Sequence, residues 1–469
     1  MSTDIASKKH NIILFITDQW RWDTLNDPRN PAKLPNLQAF REEAENFRNA
    51  FTTVPLCTPA RGSLFTGRLP HQNGTLDNVQ GKAFYPHGKL HPEQTTYLER
   101  LQDDGYHVAF IGKWHLGDGT ILERGIKDVT LSDGASTPLT EQGDVTIGEP
   151  RKSPWYGTIT DGEPLDGIRV QEAIRMLPQL AAAEKPFCLV VSLHAPHFPH
   201  HVPERFVALY DDLPADFVPD NYCEPFTEEN KPLAQSRPWH AVHDTSHLSS
   251  EDWRRTTQHY WGFCSYTDEL FGNFRQAASQ AGLDDNSVFA FTSDHGEMLG
   301  AHGWFDKGPF FYEEVMRIPM LLRTPNCKSG TTRDEFVSFH HLFPTLIERA
   351  GGDLDAGRSF YRTEADAAFY VYDAYQGRQF RFRGIREARF KYAWSPHDIE
   401  ELYDLQSDPG ERLNLANDPA RADTVARLKK RLFDWMSKEG DWLAGPGHHP
   451  PVGSYIDGRG RDEQHHHPA

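Results

Sequence analysis

The chain has 469 residues, a length that allows about three domains, of which two are expected, and its 38% hydrophobic and 25% charged residues are ordinary for a globular protein with a sizeable core. Lys plus Arg number 49 against 67 Asp plus Glu, a formal charge of −18 that argues against nucleic acid or an anionic membrane surface as the main partner. Five cysteines, at 57, 188, 223, 264 and 327, form no CxxC pair and read as reduced thiols, not as a disulfide framework or a zinc ribbon.

The N-terminus, Met1 to His10, is polar, and the apolar run from Ile12 to Ile16 is too short for a signal-peptide core or a membrane span, so the chain as written is expected to be cytoplasmic. Asn11 to Thr17 is a continuous apolar run of strand length, the kind buried on both faces of a parallel sheet. It ends in Asp18-Gln19-Trp20. Open α/β sheets bind ligands beyond the carboxyl ends of their strands, which puts Asp18 where a site would form; capping a turn is the plainer use of the same residue. Leu34 to Phe47 carries apolar residues at helical spacing (Leu34, Leu37, Phe40, Ala44, Phe47) and predicts one helix.

The stretch Leu56-Cys57-Thr58-Pro59-Ala60-Arg61-Gly62-Ser63-Leu64-Phe65-Thr66-Gly67 carries the most chemistry. Pro59 suits the first turn of a helix, where its missing N–H would be unsatisfied anyway, and Gly67 suits the exit. Cys57 then sits at the positive end of the helix, with Arg61 one turn on along the same face, an arrangement that favours an anion against Cys57. A buried cysteine at an ordinary helix start is the plainer alternative.

Tyr97 to Asp104 predicts a helix stopped by Gly105, and His107 to Gly112 the next strand. Lys113 and His115 follow on a glycine-flanked loop, a charge and a titratable base at a strand's carboxyl end. The acidic, Gly- and Pro-rich segment from Asp118 to Asp166 reads as an excursion that roofs the site. Leu165 to Glu184 predicts a helix and Phe187 to Leu193 a buried strand. That strand delivers His194, His197, His200 and His201, whose interleaved prolines make an extended loop and disfavour tetrahedral zinc.

Residues 203 to 250 form a long insertion with little periodicity; loops of that length are usually functional, and Trp239, His240 and His243 are its candidates for substrate recognition. Glu251 to Gly282 predicts a long helix. The strand Ser287 to Ser293 ends in Asp294-His295-Gly296-Glu297, and Asp294 with His295, beside Asp18, makes a site rich in hard oxygen. Ca²⁺, with ligands at about 2.3–2.6 Å, suits it, with Mg²⁺ and Mn²⁺ as alternatives. Asn78 and His302, close in sequence to these segments, are candidate substrate contacts.

After residue 355, alternating runs at Phe369 to Tyr375, Phe382 to Ile385 and Arg389 to Trp394, then an amphipathic helix at Ala422 to Lys438, read as a second unit. The division expected is a catalytic α/β domain at 1–355, a subdomain at 356–440 and an extended tail at 441–469. The fold class is α/β: a large mixed, mostly parallel sheet flanked by helices, with a smaller C-terminal α+β part built on a four-stranded antiparallel sheet.

Cys57, Pro59, Arg61, Thr66 and Gly67 match the sulfatase signature, and Gly112-Lys113-Trp114-His115-Leu116-Gly117 matches a second sulfatase motif. With Ala195-Pro196-His197, Asp294-His295 and Lys307, the order of motifs from Asn11 to about Asn417 resembles the type I sulfatases of the alkaline-phosphatase superfamily. The resemblance implies that Cys57 is oxidised by a formylglycine-generating enzyme to formylglycine, whose hydrate is the nucleophile. It implies a divalent cation held by Asp18, Gln19, Asp294 and His295. Arg61, Lys113 and His115 would position the hydrate, while His197 and Lys307 would grip the sulfate and the leaving oxygen. The implied activity is that of a sulfuric ester hydrolase, releasing inorganic sulfate from a sulfated carbohydrate or another small alkyl or aryl sulfate.

Two residues depart from the pattern. Gln19 stands where many members have a second aspartate, and His295 replaces the asparagine of several. The Asp18-Gln19 pair also resembles the phosphonate monoester hydrolases, which share the nucleophile, so a phosphonate monoester or phosphodiester hydrolase is the alternative. An anion-binding relative without turnover follows if Cys57 stays unmodified. Self-association into a homo-oligomer is left open by the sequence.

Overall fold

A computed structural model describes residues 9–79, 88–117, 121–131, 145–147, 155–214, 217–222, 230–235, 245–325, 330–362 and 365–445. In chain order the strands are β1 (Asn11–Thr17), β2 (Glu45–Phe51), β3 (His107–Gly112), β4 (Asp128–Leu131), β5 (Val145–Ile147), β6 (Tyr156–Ile159), β7 (Phe187–Ser192), β8 (His200–Pro203), β9 (Ser287–Ser293), β10 (Met320–Arg323), β11 (Thr332–Ser338), β12 (Ala367–Tyr375), β13 (Arg378–Glu387), β14 (Phe390–Trp394) and β15 (Glu401–Asp404). Eight of them form the main sheet, in the order β11-β2-β10-β9-β1-β7-β3-β4. β10 runs antiparallel to both neighbours and every other pairing is parallel, so the sheet is mixed and mostly parallel.

The central strands β1, β7 and β9 are buried along their whole length, which is why they read as unbroken apolar runs. Alternate residues feed two cores. Ile13, Phe15, Leu189, Val191, Phe289 and Phe291 face the helices Leu165–Ala182 and Ser250–Gln280. Ile12, Leu14, Ile16, Val190 and Val288 face the helices Cys57–Thr66, Tyr97–Asp103 and Leu342–Arg349 on the other side. Helices on both faces leave the carboxyl ends of β1, β3, β7 and β9 open at one edge, the usual place for a ligand in such sheets.

The helix expected across Leu34 to Phe47 stops at Arg41, and Glu45–Phe51 is strand β2. Ala44 and Phe47 are buried, as the helical spacing required, but they reach the core from a strand wedged between β10 and β11. Pairing with two partners outweighs a spacing that two periods can share. The segment from Asp118 to Asp166 does not serve only as an excursion, because β4 adds the edge strand of the main sheet. Further on, β6 pairs with β5 and β8 in a separate three-stranded sheet.

The C-terminal part is an antiparallel meander of β12, β13, β14 and β15. One face of it receives Leu428, Leu432 and Met436 from the amphipathic helix Ala422–Lys438. The other face, with Tyr370, Phe382 and Tyr403, packs on Phe51, Phe311 and Val315 from the first part of the chain. The start of the expected tail is anchored, since Asp441 accepts the guanidinium of the fully buried Arg383 and Leu443 is buried; residues 446–469 lie outside those described. No helix among the described residues is long and apolar enough to cross a membrane.

Candidate active site

The helix Cys57–Thr66 begins at Leu56, whose φ of −154° is extended, and ends at Gly67, whose φ of 66° is left-handed. All ten of its residues are buried, an unusual condition for a helix that carries an arginine. Asn78 caps it from a distance: its Oδ1 accepts the Thr58 backbone N–H at 3.0 Å, taking one of the donors that a helix start leaves orphaned. Cys57 therefore stands where backbone N–H groups and the helix dipole favour negative charge.

Around that sulfur the strand ends converge. Cys57 Sγ lies 3.2 Å from His295 Nε2 and 3.6 Å from Asp18 Oδ1. Asp18 follows β1, Lys113 and His115 follow β3, and Asp294 and His295 follow β9, so the parallel register of the sheet brings them to one edge. Gln19, His115 and Asp306 hold positive φ values of 68°, 57° and 70°. Non-glycine residues in that region cost about 1–3 kcal/mol each and tend to gather at functional sites.

The carboxylates divide their oxygens. Asp18 Oδ2 accepts from Lys113 Nζ at 2.5 Å and Arg61 Nη2 at 3.2 Å, while Asp294 Oδ2 accepts from Arg61 Nε at 2.9 Å. The Oδ1 atoms face the sulfur and His295. Arg61 also donates from Nη1 to the Lys113 carbonyl at 3.0 Å and to Ser192 Oγ at 2.7 Å, so four of the five N–H bonds of this fully buried side chain are accounted for.

Burial alone would raise Asp18, but Lys113, His197 and Arg61 hold it well below the usual carboxylate range. Asp294 bears the other half of the conflict, since burial and the nearby Asp18 charge push it up to about 6. Burial and Asp18 oppose a thiolate at Cys57, yet Lys113, Lys307 and His295 outweigh them and bring it well below an ordinary thiol. His115, which hydrogen-bonds the Cys57 side chain, is lowered by burial and by Lys113. Burial opposes charge on His295, but Asp294 and Cys57 raise it to about 9.

Asp18, Cys57, Asp294 and His295 each offer a ligand atom, and these atoms all lie within 4.8 Å of one another. His295 Nδ1 donates to the Gly296 carbonyl at 2.8 Å, which turns Nε2 toward the cluster. Two buried carboxylate oxygens and an aimed imidazole fit a divalent cation, which would displace the proton that His295 otherwise gains. Gln19 does not turn its side chain to this set. Its Oε1 accepts from Lys307 Nζ at 2.8 Å and its Nε2 donates to Glu297.

Lys307 donates to His197 Nε2 at 2.7 Å and to Asp306 Oδ1 at 3.0 Å, so the two residues expected at the leaving group are in contact. His302 is not among these groups. Its ring stacks on Tyr312 with centroids 3.8 Å apart and meets Asn221 and Lys231. Trp239, His240 and His243 lie outside the described residues. Glu297, Asp306 and Ser192 went unassigned in the sequence, although Glu297 closes the Asp294-His295-Gly296-Glu297 tetrapeptide and could have been singled out there.

The Sulfatase family model matches residues 10–352, and a model described as N-sulphoglucosamine sulphohydrolase, C-terminal, matches residues 300–438. A choline-sulfatase of Rhizobium meliloti is 28% identical over 450 residues, covering 88% of this chain and 84% of its own. An N-acetylglucosamine-6-O-sulfatase of Bacteroides thetaiotaomicron is 26% identical over 508 residues, covering 93% and 88%. The crystal structure of the phosphonate monoester hydrolase of Agrobacterium radiobacter superposes with a TM-score of 0.72 at 21% identity over 92% of this chain and 96% of that one, a likeness of fold.

Proposed function

This chain belongs to the sulfatase family, and from that premise we propose that it releases inorganic sulfate from a sulfated carbohydrate or another small sulfate ester at the Cys57 cluster. The observation that carries the reading is the place of Cys57 Sγ. It lies at a buried helix start, 3.2 Å from His295 Nε2 and 3.6 Å from Asp18 Oδ1, with the cations of Arg61 and Lys113 tied into the same cluster. Three fixed cations, Arg61, Lys113 and Lys307, suit a transferred group that carries negative oxygens into a dry site.

A hydrated aldehyde at position 57 would supply two hydroxyls, one to attack sulfur and one whose deprotonation expels the sulfate. Cys57 is 1% exposed, so the oxidising enzyme would act on the chain before it folds. A divalent ion, Ca²⁺ by the hardness of Asp18 and Asp294, would act as a Lewis acid at the nucleophile and the transferred oxygens. The remaining work belongs to side chains. Arg61 and Lys113 fix the orientation of Asp18 and Asp294. His115, hydrogen-bonded to position 57 and lowered by burial and by Lys113, accepts the proton of the second hydroxyl. His197 and Lys307, which share one proton at His197 Nε2, would face the leaving oxygen together and give that proton to it, leaving a neutral amine and imidazole, a donation worth roughly 10²–10⁴-fold.

The N-acetylglucosamine-6-O-sulfatase relative supports a sugar as the leaving group, and the choline-sulfatase relative a small alkyl alcohol. The second reading, a phosphonate or phosphodiester hydrolase, draws on Gln19 and on the phosphonate monoester hydrolase fold. Initial rates on 4-nitrophenyl sulfate and 4-nitrophenyl phenylphosphonate separate the two. A higher kcat/KM for the sulfate is expected, and a preference for the phosphonate overturns the reading. The mass of the peptide spanning Cys57 tests the modification.

A further inference from the structure

Lys307 has three ammonium protons, and all three are committed: to Gln19 Oε1 at 2.8 Å, to His197 Nε2 at 2.7 Å and to Asp306 Oδ1 at 3.0 Å. His197 Nδ1 donates to the Phe198 carbonyl, so its Nε2 lone pair is the atom that faces the ammonium. The orientation of this group depends on which end of the Gln19 amide points at Lys307. Only the oxygen can accept; the NH₂ end would set donor against donor.

Glu297 makes that choice. It is fully buried, and its Oε1 accepts the backbone N–H of Leu299 at 2.8 Å and of Asp306 at 2.6 Å. Its Oε2 accepts from Gln19 Nε2. Each hydrogen-bond partner of the carboxylate is a donor, and the Gln19 amide has one arrangement that satisfies both Glu297 and Lys307. The backbone donor at Asp306 also places Glu297 directly against the residue pair that carries Lys307.

We propose, on the sulfatase reading above, that Glu297 is a positioning residue for the leaving-group side of the reaction, acting through the amide of Gln19 to hold Lys307 and His197 in register. The chain of contacts runs Glu297, Gln19, Lys307, His197, and it ends at the His197–Lys307 pair whose shared proton is expected to reach the departing oxygen. It also gives Gln19 a use that an aspartate at that position would not have. An aspartate would bring a second carboxylate against Glu297, whereas the amide joins the carboxylate to an ammonium without adding charge.

Glu297→Gln is close in shape but reverses the logic. Because Oε1 must go on accepting two backbone N–H groups, the new NH₂ takes the place of Oε2 and faces Gln19. The Gln19 amide must then turn its oxygen to residue 297 and its NH₂ to Lys307. The double variant Gln19→Glu/Glu297→Gln restores the order: the NH₂ of residue 297 donates to one oxygen of residue 19, the other oxygen accepts from Lys307, and the net charge equals that of the parent.

The test compares kcat/KM on 4-nitrophenyl sulfate, whose phenolate departs unaided, with an alkyl sulfate, whose alkoxide needs a proton. Glu297→Gln is expected to lose at least about tenfold more on the alkyl ester than on the aryl ester, within the range of a lost proton donor. The double variant should regain most of that difference. Equal losses on both esters, or a double variant worse than the single one, overturn the proposal. Crystal structures of the two variants read the same point without turnover. The Lys307 Nζ to residue 19 contact should open beyond about 3.5 Å in the single variant and close in the double one, and an unchanged contact in Glu297→Gln overturns it. If the parent hydrolyses neither ester, the sulfatase reading fails while the structural comparison still decides the role of Glu297.

Discussion

Arg61 and Asp294 form a fully buried ion pair, Nε to Oδ2 at 2.9 Å, and the same guanidinium reaches Asp18 Oδ2 at 3.2 Å. One side chain on the Cys57 helix thus binds both carboxylates that follow β1 and β9. Removing one partner of a buried pair leaves uncompensated charge, typically at a cost of about 3–5 kcal/mol. Arg61→Leu is expected to lose stability on that scale and to lose activity. Denaturant titrations should show a smaller loss with millimolar Ca²⁺ than with EDTA, because a cation offsets the freed carboxylates. Equal losses under both conditions would separate Arg61 from the proposed cation site.

Cys57→Ser keeps one hydroxyl in place of two. On the proposed chemistry it accepts the sulfo group and cannot release it, so a single turnover of 4-nitrophenyl sulfate followed by arrest is expected. Intact mass should show one added sulfo group per chain. Sustained multiple turnover by this variant would contradict the role given to position 57.

Removal of divalent ions with EDTA should abolish hydrolysis and lower the melting temperature, since a ligand that binds only the folded state stabilises it by mass action. Ca²⁺ is expected to restore both, with Mg²⁺ and Mn²⁺ as comparators. Asp294→Asn should weaken the cation dependence of the melting temperature. A melting temperature indifferent to EDTA and to added ions would argue against a resident cation at Asp18, Asp294 and His295.

His259 on the long helix Ser250–Gln280 is lowered to about 4, chiefly by burial. The unfolded chain takes up its proton near the ordinary value of about 6.5, the folded one only near 4, so stability rises with pH between those values and is lost on acidification. The full effect is about 3 kcal/mol for a shift of that size. Stability from urea unfolding at pH 7.5 and 4.5 should fall less for His259→Gln than for the parent. An identical fall in both proteins would refute the assignment.

Much of the site was legible because a strand buried on both faces must be an unbroken apolar run, and the residue after such a run marks a sheet's carboxyl edge. Asp18, Lys113, Asp294 and His295 were singled out that way as candidates, and Cys57 with Arg61 by the Pro59 and Gly67 that bound their helix. The helix expected across Leu34 to Phe47 went the other way, since β2 exists through its partners β10 and β11, which lie far along the chain.

What the chain determines by itself is local: where each element starts and stops, and which chemistry stands at its end. Tertiary structure alone decided that Asn78 caps the Cys57 helix, that Gln19 turns to Lys307 and Glu297, and that His302 stacks on Tyr312. The Gln19 contacts join side chains more than 250 residues apart, and all of these arrangements follow from donors, acceptors and rings meeting in a buried interior, which no local period encodes.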